Sequence, residues 1–160
     1  MAAAALLLLS GCSSKSCKEG IFAPDVIYEK ALVNTREAQI VRSLETKASV
    51  SATLVNEVFA KKYPYRDGVA IFLGVVTERK VPDDRFPDFF HVSLNGEEPL
   101  KIEPLHRGDE LYELMPSVNR WGHYYLLIFP PSNAKRFKIT FGIDPYAPVS
   151  LTLQRPTPRR

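Results

Sequence analysis

The chain has 160 residues, of which 45% are hydrophobic and 24% charged. This composition is typical of a globular protein and excludes an intrinsically disordered chain, and the length suffices for one domain. Lys and Arg number 21 against 18 Asp and Glu, so the net charge is only +3. Such a mild excess does not indicate a nucleic-acid partner.

The first segment is an apolar run over residues 2–9 that leads into Ser10, Gly11 and Cys12. It is far shorter than the ~20 residues that a transmembrane helix needs, and its small-residue end is typical of a signal peptide. Leu9-Ser10-Gly11-Cys12 resembles the lipobox of bacterial lipoprotein precursors. The resemblance implies that a signal peptidase recognises Leu9, Ser10 and Gly11, and that Cys12 carries a covalent lipid.

The same resemblance makes residues 1–11 the signal peptide and Cys12 the first residue of the mature chain. Ser13, directly after the lipidated cysteine, is similar to the pattern that directs enterobacterial lipoproteins to the outer membrane. The expected location is therefore the cell envelope, on the periplasmic side of the outer membrane if the source is Gram-negative.

Two polar segments flank the predicted domain, which covers residues 25–154. Residues 12–24 are expected to form a flexible tether, and their second cysteine, Cys17, leaves no pair for an internal disulfide. Residues 155–160 form a basic, proline-containing tail, which is either a solvated end or a contact with an anionic surface.

The first element predicted in the domain is a helix. Asn34-Thr35-Arg36-Glu37 resembles a capping box, and apolar side chains then recur at Ala38, Ile40, Val41 and Leu44. This spacing suits one face of a helix of roughly ten residues. The period is imperfect, so an irregular strand is the competing interpretation.

Strand patterns dominate the rest of the domain. Seven strands are predicted, at residues 48–54, 68–77, 89–94, 100–103, 121–129, 135–141 and 149–153. Asn95-Gly96 predicts a hairpin between the third and fourth of them. The fold class is therefore mainly β, an antiparallel β-sandwich with a short N-terminal helix or irregular segment. An immunoglobulin-like topology is the first expectation, and a small barrel is the alternative.

Strands 68–77 and 121–129 carry apolar side chains on both faces, although the outer face of a sandwich is normally polar. Either the segment 26–44 covers them, or the outer face is a partner-binding patch. In the second case Tyr124, Leu126 and Ile128 form the patch. Because tyrosine is enriched at interfaces, further binding candidates are Tyr65 and Tyr112. Trp121, by contrast, is expected to be buried.

The sequence contains no G-x-S-x-G, H-E-x-x-H, Walker or EF-hand motif. His91, His106 and His123 stand far apart, so no catalytic residue, metal ligand or cofactor is predicted besides the covalent lipid. Arg107-Gly108-Asp109 resembles the integrin-binding tripeptide, yet Gly-Asp is also ordinary turn chemistry.

These features predict a membrane-anchored, periplasm-facing lipoprotein that acts as a non-catalytic binding or scaffolding module for another envelope component. The expected partners are the membrane, through the lipid, and an envelope protein, with no nucleic acid. One alternative is a surface-exposed ligand-binding or adhesive lipoprotein. Another is a hydrolase, which requires a pocket that holds His91 or His123 near a carboxylate.

Overall fold

The computed structural model describes residues 26–78, 80, 82 and 85–156. The lipobox, the predicted tether and residues 157–160 of the tail lie outside the described residues. In chain order the elements are α1 (Val26–Val33), β1 (Thr35–Arg42), β2 (Glu45–Leu54), α2 (Val55–Val58), β3 (Val69–Thr77), α3 (Phe86–Phe89), β4 (Phe90–Leu94), β5 (Lys101–Leu105), α4 (Glu110–Leu114), β6 (Gly122–Phe129), β7 (Arg136–Ile143) and β8 (Val149–Gln154). Within this part of the chain no helix is long and apolar enough to cross a membrane.

The strands form two antiparallel sheets, a five-stranded sheet in the order β1-β2-β3-β6-β5 and a three-stranded sheet in the order β4-β7-β8. This confirms the predicted β-sandwich. Strands β2 to β8 follow the strand order of a constant-type immunoglobulin domain, four strands facing three, and β1 is an extra strand at the edge. All seven predicted strands form, with small shifts of their ends.

The predicted helix from Asn34 to Leu44 is wrong, and the competing strand interpretation is confirmed. Asn34 ends a helix instead of starting one, because its side-chain Nδ2 donates to Lys30 O at 2.8 Å at the end of α1. The chain then extends as β1, where the Thr35 and Thr53 hydroxyls are 2.7 Å apart. Leu44 lies in the two-residue turn to β2 with φ 68° and is 99% exposed.

The predicted hairpin at Asn95-Gly96 is also wrong as a strand pairing. Both residues have the positive φ of a type I′ turn, 53° and 91°, and Leu94 and Glu97 exchange backbone hydrogen bonds across it. The flanking strands nevertheless separate, since β4 pairs with β7 and β5 pairs with β6. The turn therefore carries the chain from one sheet to the other.

Two apolar cores share the five-stranded sheet. The inter-sheet core lies between the sheets and includes Phe90, Leu94, Phe137, Ile139, Phe141 and Leu151. The second, here called the helix-side core, lies on the outer face of β3 and β6. It contains Ala31, Val55, Val58, Ala70, Phe72, Leu105, Leu111, Met115, Tyr124 and Leu126.

Candidate functional site

The predicted docking face on β6 is covered in the structure. Tyr124 and Leu126 are only 3% and 5% exposed, and Ile128 is half-buried against the same cluster. The cover comes from α1, α2 and α4, so the expected N-terminal segment supplies only part of it, through Ala31. These three β6 side chains do not form an open surface.

Tyr124 is held in place by close packing and by hydrogen bonds. Its Oη accepts the backbone N–H of Asn119 at 2.7 Å, and its ring packs edge-on against Tyr112, with centroids 5.2 Å apart. A Cβ at Gly74 would lie 2.9 Å from the ring, so glycine is needed there for the ring to fit. Burial raises the pKa of Tyr124. Tyr124 and half-buried Tyr112 thus anchor the segment before β6.

Trp121 is not buried as expected, because 67% of it is exposed. It precedes β6, and the Arg120 guanidinium lies 4.4 Å from the centre of its ring. The Arg107-Gly108-Asp109 turn is tied to the start of α4, where Asp109 Oδ2 accepts the backbone N–H of His106 at 2.7 Å. The Asp109 carboxylate is therefore engaged locally.

Helix α1 is the most apolar exposed element that the structure describes. Ala31 faces the helix-side core, whereas Val26, Leu32 and Val33 are 57%, 47% and 71% exposed. Ile27 and Tyr28 add further exposed apolar surface. No hydrophobic periodicity in the sequence indicated this helix, because its apolar residues lie on all sides.

A second candidate is a cavity of about 660 Å³ at the end of the sandwich where β7 begins and β8 ends. We call it the Tyr65 cleft. Its charged and aromatic lining consists of Glu57, Tyr63, Tyr65, Arg66, Lys135 and Arg155. Its volume falls within the range of small-molecule sites, about 300–1,000 Å³.

Tyr65, one of the lining residues, contacts Phe137, Arg155 and Glu57. Its ring stacks on Phe137 of the inter-sheet core, with centroids 6.1 Å apart, and the Arg155 guanidinium lies 4.0 Å from its ring centre. Its hydroxyl donates to Glu57 Oε1 at 2.6 Å. Burial and this hydrogen bond raise the pKa of Tyr65 far above its ordinary value, although Arg155 acts in the opposite direction.

A buried asparagine fixes the loop that carries Tyr65. Asn56 is 1% exposed; its Nδ2 donates to Tyr63 O and Gly68 O at 2.8 and 3.0 Å. Its Oδ1 accepts the N–H of Ala70 at 2.7 Å. These three bonds hold both ends of the loop, so the cleft wall is supported from inside the domain.

The cleft carries a net positive charge. The described residues that line it include three cations and one carboxylate, which leaves +2. Arg66 has Asp67 at 3.7 Å, whereas among the described residues no carboxylate lies within 4.0 Å of Lys135 or Arg155. Arg66, Lys135 and Arg155 lie far apart in the sequence, and the fold brings them together. No local sequence motif therefore indicated this site.

A third cavity, of about 700 Å³, has His91 and Asp144 in its lining. His91 Nε2 is 3.2 Å from Asp144 Oδ2, and both side chains are largely exposed, at 65% and 84%. Ser93 also lines this cavity. Among the described residues, however, His91 forms no hydrogen bond with a hydroxyl group, and its ring pairs with Asp144. No cluster of three metal-ligating side chains occurs among the described residues.

Comparison of the chain with protein-family models, curated proteins and solved structures finds no match.

Proposed function

We propose that this protein is a lipid-anchored, non-catalytic binding module of the bacterial cell envelope. Cys12 attaches it to the membrane, the sandwich faces the periplasm, and α1 is the surface that contacts an envelope protein. The observation that carries the docking surface is the exposure of Val26, Leu32 and Val33 on one short helix. Outside this helix, the exposed large apolar side chains among the described residues are Val41, Leu44, Leu100 and Trp121. Exposed apolar patches on a folded domain typically mark interaction sites.

The position of α1 also supports this assignment. Val26 follows Cys12 by 14 residues, a length of chain that spans at most about 50 Å. A lipid on Cys12 would therefore keep the start of α1 within about 50 Å of the membrane surface. Docking of a short apolar helix into a partner groove is a common recognition mode.

The anchor is tested with a matched pair of variants, Cys12→Ser and Cys17→Ser. The proposal expects Cys12→Ser to abolish lipidation and prevent normal processing, while Cys17→Ser is still processed and lipidated. Intact mass of the mature N-terminal peptide measures this. A lipid that persists on the Cys12→Ser chain, or a mature chain that begins elsewhere, contradicts the assignment.

The docking surface is tested with Leu32→Glu, and Leu44→Glu is its control at the far end of the sandwich. Chemical crosslinking in intact cells should give no adducts between the Leu32→Glu variant and other proteins, whereas the Leu44→Glu variant should still form them. Both variants should have unchanged thermal stability. Sedimentation of the purified chain shows whether the partner is a second copy. Adducts that survive Leu32→Glu rule out α1 as the docking surface.

The His91–Asp144 pair gives the hydrolase alternative a definite site, because a carboxylate beside a histidine is how a general base is oriented. Its test is the hydrolysis of simple ester and amide substrates by the purified chain and by His91→Ala. Activity that disappears in His91→Ala replaces the non-catalytic proposal.

A further inference from the structure

None of the described residues that line the Tyr65 cleft belongs to α1. We propose that it binds a phosphate group, carried by an anionic phospholipid headgroup or by a small soluble phosphate. Lys135 and Arg155 supply the main contacts, and Arg66 lies at the rim.

The charge of the cleft is opposite to that of a phosphate group. Lys135 and Arg155 have no carboxylate within 4.0 Å among the described residues, and the cleft lining has a net charge of +2. A phosphate group, with one negative charge in a phosphodiester headgroup and up to two in a soluble monoester, is opposite in sign to that excess. Arginine offers phosphate two parallel N–H donors, and lysine adds a compact charge.

The Arg155 side chain is held in place before a ligand binds. Arg155 is half-buried, with its guanidinium 4.0 Å from the Tyr65 ring centre, and its backbone N–H donates to Lys135 O at 2.9 Å. The two cations therefore emerge from adjacent, hydrogen-bonded ends of β7 and β8. Because Tyr65 and this backbone contact restrict Arg155 before a ligand arrives, less conformational entropy is lost on binding than for a free surface arginine.

Glu57 is the acidic side chain among the described residues that line the cleft. Its carboxylate accepts a hydrogen bond from the Tyr65 hydroxyl at 2.6 Å, so it holds the Tyr65 ring in position. Lys135 and Arg155, which have no carboxylate within 4.0 Å among the described residues, remain for the ligand.

The experiment uses the full chain with Cys12→Ser, so that an acyl chain cannot cause membrane binding. One arm titrates inorganic phosphate by calorimetry. The other measures sedimentation with vesicles of phosphatidylglycerol in phosphatidylcholine, against phosphatidylcholine alone. Saturable binding of inorganic phosphate identifies a soluble ligand, and binding confined to phosphatidylglycerol vesicles identifies a lipid headgroup.

Arg155→Gln and Lys135→Gln are each expected to weaken binding at least about tenfold, the scale of one charge-assisted hydrogen bond. The control is Arg136→Gln, which removes an equal charge next to Lys135 but outside the cleft lining, and it should change affinity less than about twofold. Circular dichroism checks that each variant is folded. If Arg155→Gln is unstable, Lys135→Gln tests the proposal on its own, because Lys135 is exposed. Absence of saturable binding in both arms, or an equal loss with Arg136→Gln, overturns the proposal.

Discussion

Replacing Leu126 by alanine measures how firmly the helices cover β6. Leu126 is 5% exposed in the helix-side core, opposite Phe72 on β3. Removing a buried leucine side chain leaves a cavity and typically costs about 2–5 kcal/mol, out of a total of about 5–15 kcal/mol for a domain. Leu126→Glu should cost more, because it also places a carboxyl group in the apolar layer. We therefore expect marginal stability for Leu126→Ala and loss of the fold for Leu126→Glu.

Urea denaturation followed by far-ultraviolet circular dichroism is the appropriate assay, since Trp121 is 67% exposed and its fluorescence reports poorly on core packing. The matched control is Leu100→Ala, the same chemical change at a position 69% exposed. It should alter the unfolding free energy by less than about 0.5 kcal/mol. If Leu126→Ala and Leu100→Ala have equal midpoints, the helices do not cover β6 in solution and the docking face on β6 is restored as a candidate.

Ile139→Ala in the inter-sheet core, fully buried, should cost about 2–5 kcal/mol by chemical denaturation; an unchanged midpoint contradicts the assigned sheet face. Leu44→Gly should stabilise the domain by up to about 1 kcal/mol, because Leu44 has φ 68° and glycine adopts that conformation without steric cost; a lower melting temperature contradicts this. Stability should fall as the pH rises above about 10, since the unfolded chain then loses the Tyr65 proton that the folded chain retains with its raised pKa. Tyr65→Phe should make this fall shallower in unfolding measured between about pH 9 and pH 11, and an identical slope for both chains refutes the assignment.

The strand positions were predictable because alternation of apolar and polar side chains is a local signal. It identified β2 and β7. The doubly apolar pattern of β3 and β6 indicated that their outer face is either covered by another segment or open to a partner, and the structure shows that it is covered. The helices of that layer were harder to predict. Helices α2 and α4 have four and five residues, too few for a helical period to show.

The sequence predictions were wrong where the local structure depends on pairing with residues that are distant in the sequence. β1 has one fully buried residue, Ile40, so its strand conformation is fixed by pairing with β2 and leaves little trace in its own pattern. At Asn95-Gly96 the turn type was predictable from two residues, whereas the choice of sheet on each side was not. The Tyr65 cleft was invisible for the same reason, since Glu57, Lys135 and Arg155 meet only through the sandwich topology.

The shared use of β3 and β6 by both cores gives the domain an uneven resistance to opening. Local opening of the layer formed by α1, α2 and α4 breaks no pairing between strands, so we expect it to open at a lower free energy than the sandwich beneath it. Backbone amides of α1 should therefore exchange with deuterium first and those of β3 and β6 last. A partner that binds α1 should slow amide hydrogen exchange throughout the helical layer, including α2. Asn56 and Glu57 of α2 line the Tyr65 cleft. Binding at α1 would then change the amide exchange rates at the wall of the Tyr65 cleft, without any rearrangement of the sheets.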